Sequence, residues 1–383
     1  MNSKTTRIMI ENYNLIDLLD NDSKSTGGAC VQLHSTALGF KEIGCDVNVL
    51  VTKSSNKLKN YSKYNIIELY DKNKGIKFFK WFYYRLPRII KIMKINRPEI
   101  IIQQCAGVNT FLYAIMAKIM NAKFVYWVAN DMEVDGRLTD KIIQLGSFKK
   151  YVLSNFTILS YKIGLSLSDL IICQNNYQLK HINKKNYKKS VVIYNAFEID
   201  NINNSPKHHK REYIAWAGKF VYQKNLPDLY YIANNNPNLS FKIAGIPGDS
   251  NVDKKTLKAL DDLKLLDNIS FVGQLPKEEL ILFLSKAKFL LNTSHYEGFS
   301  NTFMEAFSVG TPVITLGVNP DNILNKHKLG FVATKENFSE LIENNLATFN
   351  YTEFYNNANI YLKEFHDNKT VTKNILSIIY NII

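Results

Sequence analysis

Cysteine, acid and long apolar runs are all scarce in this sequence. Four cysteines, Cys30, Cys45, Cys105 and Cys173, lie scattered through 383 residues with no paired spacing. Neither a disulfide framework nor a zinc pattern is written into the chain, which fits reduced thiols in a cytoplasmic protein. No stretch reaches the roughly 18 consecutive apolar residues that span a bilayer. The opening MNSKTTRIMIENY has too short an apolar run for a secretory signal. Acid is outnumbered, 34 Asp and Glu against 48 Lys and Arg, for a formal charge of +14. Such a surplus suits nucleic acid, anionic lipid or an anionic substrate. Part of it is background, because Lys, Asn and Ile are abundant throughout, as an AT-rich coding sequence produces.

What is present is alternation. Short apolar runs follow one another at intervals filled by helical patterns, as in α/β proteins with parallel sheets. The length is enough for two or three domains with real cores. The stretch with most chemistry is EGFSNTFMEAFSVGTPVI, residues 297–314. It sets two carboxylates, Glu297 and Glu305, eight positions apart. Between them Gly298, Phe299, Ser300, Asn301 and Thr302 form a small-polar entry to a helix. Gly310 ends that helix, and Pro312-Val313-Ile314 starts a strand. Backbone N–H groups at such an entry point at any anion in front of the helix. The same spacing of Thr302 and Glu305 also fits a capping box, in which Glu305 only closes a helix end. Both readings stand at this point.

Upstream, Tyr213 to Ala217 reads as a strand running into Gly218 and Lys219, with Lys224 five residues on. Two cations after a strand can neutralise a diphosphate and stabilise it as it leaves with added charge. Lysine does so as a point charge, without the planar fork of arginine.

These motifs resemble those of glycosyltransferase family 4, the retaining, group 1 glycosyltransferases of GT-B fold. Glu297 and Glu305 fall on the family's Glu-x7-Glu pattern, and Gly310, Pro312 and Val313 on its Gly-x-Pro-Val turn. Gly218, Lys219 and Lys224 are similar to its Gly-Arg-x4-Lys site, with Lys219 in place of Arg. Gly27 and Gly28, after a first strand at Arg7 to Ile10, fall on its glycine-rich loop. The resemblance implies two Rossmann-like domains facing across a cleft: an acceptor domain over 1–198, a linker over 199–211, a nucleotide-sugar domain over 212–366, and a last helix over 367–383 crossing back. It implies that Glu297 contacts the donor sugar and Glu305 the ribose. Lys219 and Lys224 then hold the diphosphate with help from the N–H groups of 299–302, and no essential metal or other cofactor is required. Relatives often carry a His at the start of the loop 129–135. Ala129 stands there in this chain, and Asp131 or Glu133 could serve the acceptor side instead.

Residues 72–97 add a second theme. Ile76, Phe79, Tyr83, Leu86, Ile90 and Met93 make an apolar helical stripe. Lys77, Lys80, Arg88 and Lys91 lie opposite, joined by Trp81 and Tyr84, and Pro87 should divide the helix. The segment reads either as a solvated basic surface or as a helix resting on anionic lipid. The expected function is transfer of a sugar from a nucleotide-sugar to a glycan or lipid-linked acceptor, with retention, in a cytoplasmic or peripheral membrane protein that binds no nucleic acid. A nucleotide-sugar epimerase of the same double fold and a non-catalytic nucleotide or anion binder are the alternatives.

Overall fold

A computed structural model describes residues 5–19, 27–52, 61–71, 74, 81–138, 148–199, 210–248, 252–346 and 349–382. The chain divides into two compact units, Met1–Glu198 with His366–Ile383, and Ile199–Phe365.

The first unit is built on seven parallel strands: β1 Arg7–Glu11, β2 Asp46–Val51, β3 Asn65–Glu68, β4 Ile100–Gln104, β5 Lys123–Trp127, β6 Leu170–Cys173 and β7 Ser190–Val192. Their order is β3-β2-β1-β4-β5-β6-β7. The central strands are apolar along their whole length because both faces are covered. Ile8, Ile10, Val47, Val49, Ile100 and Ile102 face helices Gly28–Glu42 and Asn368–Asn381. The alternate residues Met9, Leu50, Ile101 and Phe124 face helices Leu86–Asn96, Val108–Ile119 and Phe148–Leu167. The last helix closes onto helix Gly28–Glu42 so tightly that a Cβ on Gly39 would stand 2.4 Å from the Asn368 carbonyl oxygen.

The second unit has six parallel strands: β8 Tyr213–Ala217, β9 Phe241–Ala244, β10 Ile269–Gly273, β11 Ala287–Asn292, β12 Val313–Thr315 and β13 Gly330–Val332. The order is β10-β9-β8-β11-β12-β13. In each sheet the order reverses once, between β1 and β4 and between β8 and β11. Open α/β sheets bind ligands at the carboxyl ends of the strands that flank this reversal.

Two expectations change. The stretch 199–211 does not end as linker. Residues 200–209 lie outside the described residues, but Arg211 is part of the second unit. Its guanidinium donates to the carbonyls of Ala287, Val309 and Gly310 and to Thr311 Oγ1, and lies 4.4 Å from the centre of the Tyr351 ring. It thereby satisfies carbonyls left over at the end of helix Asn301–Ser308.

The basic segment is also not one continuous stripe. Residues Trp81–Arg85 form a π-helical turn, and the α-helix begins at Leu86 with Pro87 in its first turn. The wider turn breaks the helical phase. Ile89 and Met93 are buried, whereas Tyr83 is 78% exposed. Tyr84 packs against the core, and its hydroxyl accepts from the Asp71 N–H and from Arg88, whose guanidinium lies over its ring. Lys77 and Lys80, with the side chain of Trp81, lie outside the described residues. Among the described residues no helix is long and apolar enough to cross a membrane.

Candidate functional site

The loops after β8 and β11 are knitted together at the reversal of the second sheet. Lys224 Nζ meets Glu297 Oε1 at 2.5 Å. Ser294 Oγ donates to the same oxygen at 2.8 Å, and Gln223 Nε2 to Glu297 Oε2 at 3.1 Å. Thr293 Oγ1 donates to the Lys224 carbonyl and accepts from the indole of Trp216. The pair is largely shielded, with 18% of the Lys224 side chain and 10% of that of Glu297 exposed. Glu297 and Lys224, read from separate motifs, are in direct contact. Gln223, Thr293 and Ser294 carry no motif and emerge only from the structure.

Glu305 has a different environment. It lies in the second turn of helix Asn301–Ser308, whose N-cap is Ser300 with no side-chain cap bond. The capping-box alternative is therefore wrong: the N-cap, Ser300, lies two residues before Thr302, and its Oγ bonds the Thr302 hydroxyl instead. Glu305 is 7% exposed, and among the described residues its carboxylate has no hydrogen-bond partner. Burial pushes it from 4.5 up to about 7, against the opposing pull of Lys277 and then Lys224. Lys277, at the start of helix Lys277–Ser285, is a cation that the motif reading missed. It lies 20 residues before Glu297 in the sequence, outside any motif. The site thus has two cations, Lys224 and Lys277, near two acids, one acid paired and one without a donor among the described residues.

Glycine is needed behind it. Gly218 rests against the Lys224 stem, and its N–H donates to the Ala244 carbonyl. A Cβ on Gly245 would stand 2.0 Å from the Gly218 carbonyl oxygen. Gly245→Ala is therefore expected to push the Gly218–Lys224 loop away, at a cost of about 1–3 kcal/mol. A lower melting temperature together with lost nucleotide binding is the outcome to look for. An unchanged melting temperature would contradict this packing.

In the first unit, Gly27 is the N-cap of helix Gly28–Glu42. Among the described residues a Cβ there would meet no atom within 4 Å. Both oxygens of Glu133 are taken up within the protein. Its Oε2 takes the Tyr126 hydroxyl and the Ala129 N–H, and its Oε1 the Ala106 N–H, so it braces the loop after β5 against the loop after β4. Asp131 remains available at the strand ends. Its Oδ1 accepts from Asn175 and Gln178, and burial raises it to about 6. The sequence reading overlooked Glu11, at the end of β1, which burial raises to about 7. A polar residue ending an apolar strand has no local mark that distinguishes it. Among the described residues no three His, Cys, Asp or Glu side chains form a metal-ligand group. Asp20 and Asp22, the one Asp-x-Asp in the chain, lie outside the described residues.

Residues 198–359 match the family model described as glycosyl transferases group 1. An uncharacterized glycosyltransferase of Methanocaldococcus jannaschii is 26% identical over 61% of this chain and 60% of its own length, so the match spans less than two thirds of that relative. The Staphylococcus aureus capsular polysaccharide biosynthesis glycosyltransferase CapH is 28% identical over 37% of this chain and 40% of its own. The structure of Anabaena HepE, in complex with UDP and glucose, superposes with a TM-score of 0.71 over 98% of this chain and 99% of that one, at 14% identity. Residues 198–359 thus resemble the group 1 glycosyl transferases, and the two parallel sheets have the architecture of the GT-B fold.

Proposed function

We propose that this protein transfers a sugar from a nucleotide-sugar, a UDP-sugar in the first instance, to a hydroxyl of a glycan or lipid-linked acceptor in polysaccharide assembly. The observation that carries the reading is the Lys224–Glu297 pair beside the unpartnered Glu305, at the reversal of the second sheet. Lys219 and Lys224 hold the diphosphate, the entry to helix Asn301–Ser308 lies beside it, Glu297 meets the sugar and Glu305 the ribose hydroxyls. The bond from the anomeric carbon to the diphosphate oxygen breaks, with its electron pair left on the diphosphate. The acceptor oxygen bonds that carbon and gives up its proton to the departing diphosphate oxygen. Lysines aimed at the developing charge act most strongly in the transition state. Retention at the anomeric carbon follows from the family resemblance. The UDP in the HepE complex and the polysaccharide role of CapH support the donor and acceptor classes.

The test is release of nucleoside diphosphate from a panel of nucleotide-sugars, with and without acceptor glycans. Release that depends on acceptor supports transfer. Interconversion of the donor with no acceptor present would favour the epimerase alternative.

The same proposal extends to the membrane. Arg88, Lys91 and Lys94 are exposed on helix Leu86–Asn96, and Phe156, Leu159 and Ile163 with Lys162 are exposed on helix Phe148–Leu167. Both helices cover the same face of the first sheet. Each cation near an anionic bilayer contributes about 1 kcal/mol, screened by salt. The protein is expected to sediment with vesicles containing phosphatidylglycerol and not with pure phosphatidylcholine, and to be released by salt. Lys91→Gln with Lys94→Gln should weaken sedimentation and leave turnover of a soluble acceptor intact. Equal sedimentation with both vesicles, or none with either, would make these helices an ordinary solvated surface.

A further inference from the structure

Behind the Lys224–Glu297 pair, the second sheet carries a chain of buried polar side chains that no motif accounts for. β11 is apolar through Phe289, Leu290 and Leu291 and then ends on Asn292. β12 ends on Thr315, the neighbour of Asn292 in the register of the two strands. Paired residues on adjacent strands project to the same face. The two side chains accordingly meet, with Thr315 Oγ1 3.4 Å from Asn292 Oδ1. Asn292, Ser294 and Thr315 are all buried. A buried amide costs free energy unless its bonds are made, so the direction of each bond carries information.

The directions follow from what each atom can do. A backbone N–H only donates, so the Asn292 atom that meets the Ser294 N–H at 3.3 Å is the carbonyl oxygen. The amide nitrogen is then the atom 3.3 Å from Ser294 Oγ. It brings hydrogen and no lone pair, so Ser294 Oγ accepts there. The one hydroxyl hydrogen of Ser294 is left for Glu297 Oε1, which it reaches at 2.8 Å. Thr315 extends the chain the other way. Its Oγ1 accepts the Val318 N–H at 3.1 Å and gives its own hydrogen to Asn292 Oδ1. One amide thus joins the loop after β12 to the carboxylate that holds Lys224.

We infer that Asn292 is a positioning residue for sugar transfer: it turns the Ser294 hydroxyl onto Glu297 and so fixes the carboxylate at the sugar end of the site. Among the described residues it makes no bond of its own to Glu297 or Lys224, and it acts through Ser294. An amide that only closed the strand end would need its oxygen, for the Ser294 N–H, and nothing from its nitrogen. Here the nitrogen sets the direction of the hydroxyl, and a donor aimed at a charged carboxylate is a strong one. The inference rests on the sugar-transfer reading. It adds that the loss at Asn292 falls on turnover and passes by the nucleotide, because the diphosphate is held elsewhere in the site.

The test compares Asn292→Leu, Ser294→Ala, the double variant and a control, Asn268→Leu, in the full chain. Asn268 is an amide of purely structural use: it precedes β10, and its Nδ2 donates to the carbonyls of Ala233, Asn236 and Leu239. Transfer, nucleoside diphosphate affinity and melting temperature are read on each. Asn292→Leu and Ser294→Ala should each lower turnover by about tenfold, with nucleoside diphosphate affinity as in the wild type. The double variant should also lose about tenfold rather than about a hundredfold, because both changes remove one bond. Asn268→Leu should lower the melting temperature and keep turnover. Wild-type turnover in Asn292→Leu, losses that multiply, a matching fall in nucleotide affinity, or an equal loss of turnover in Asn268→Leu would each overturn the role of Asn292. A wild-type chain that binds nucleoside diphosphate but transfers no sugar to any acceptor would instead bring down the sugar-transfer reading, and this role with it.

Discussion

Glu305→Gln is expected to lose most affinity for nucleoside diphosphate while its unliganded form becomes more stable than the wild type at pH 8. Both effects have one cause. The Glu305 carboxylate is buried with no hydrogen-bond partner among the described residues, and burial raises it from 4.5 to about 7. That corresponds to roughly 3 kcal/mol against its charged form. A carboxyl raised on folding favours the folded state fully below pH 4.5, and this contribution is lost as pH rises through about 7. The uncharged amide avoids the loss, so the stability gain of the variant should be large at pH 8 and fade toward pH 4.5. In the complex the charge becomes useful. Hydrogen bonds to a charged group contribute about 1.5–3 kcal/mol each, or about ten- to a hundredfold in affinity per bond. A residue kept for the fold would lose stability when replaced; one kept for a ligand gains it. Unchanged affinity, or a less stable variant at pH 8, would remove Glu305 from the donor site.

The second large effect is at Lys224. From the sequence alone, Lys219→Ala and Lys224→Ala should each reduce turnover more than folding. The structure separates them. Lys224 is the ion-pair partner of Glu297, so Lys224→Ala strands a shielded carboxylate with only Ser294 and Gln223 as donors. Breaking a buried pair costs about 3–5 kcal/mol, and somewhat less where both groups keep some exposure. Turnover should also fall by about 10²–10³, as when a preorganised donor to the transition state is removed. The double variant Lys224→Met, Glu297→Gln distinguishes the two contributions. It should recover most of the wild-type melting temperature and none of the turnover. Recovered turnover, or full activity in Lys224→Ala, would show that this lysine only supports the loop.

The sheets were legible from sequence where strands are central, because burial on both faces writes uninterrupted apolar runs such as Ile100–Ile102 and Phe289–Leu291. The outer strands Asn65–Glu68 and Gly330–Val332 were not. They are four and three residues long and half open to solvent, so they carry no comparable run. In the second unit the spacing of Gly218, Lys224 and Glu297 was readable because each motif sits in one loop. Ser294, Gln223 and Lys277 were not, since their roles depend on which strands are neighbours. The first unit shows the same limit more strongly. Glu133 looked like a free acid in an acidic loop and proved to be a brace. Glu11 looked unremarkable, and only the fold brings Asn109 to its carboxylate.

The most direct test of the donor site is calorimetric titration of the intact chain with a panel of nucleoside diphosphates. One site per chain is expected, for at least one base, with affinity that falls as salt rises and falls again in Lys219→Ala and Glu305→Gln. If no nucleoside diphosphate binds the folded chain, or if binding is indifferent to both substitutions, the loops after β8 and β11 do not form a donor site.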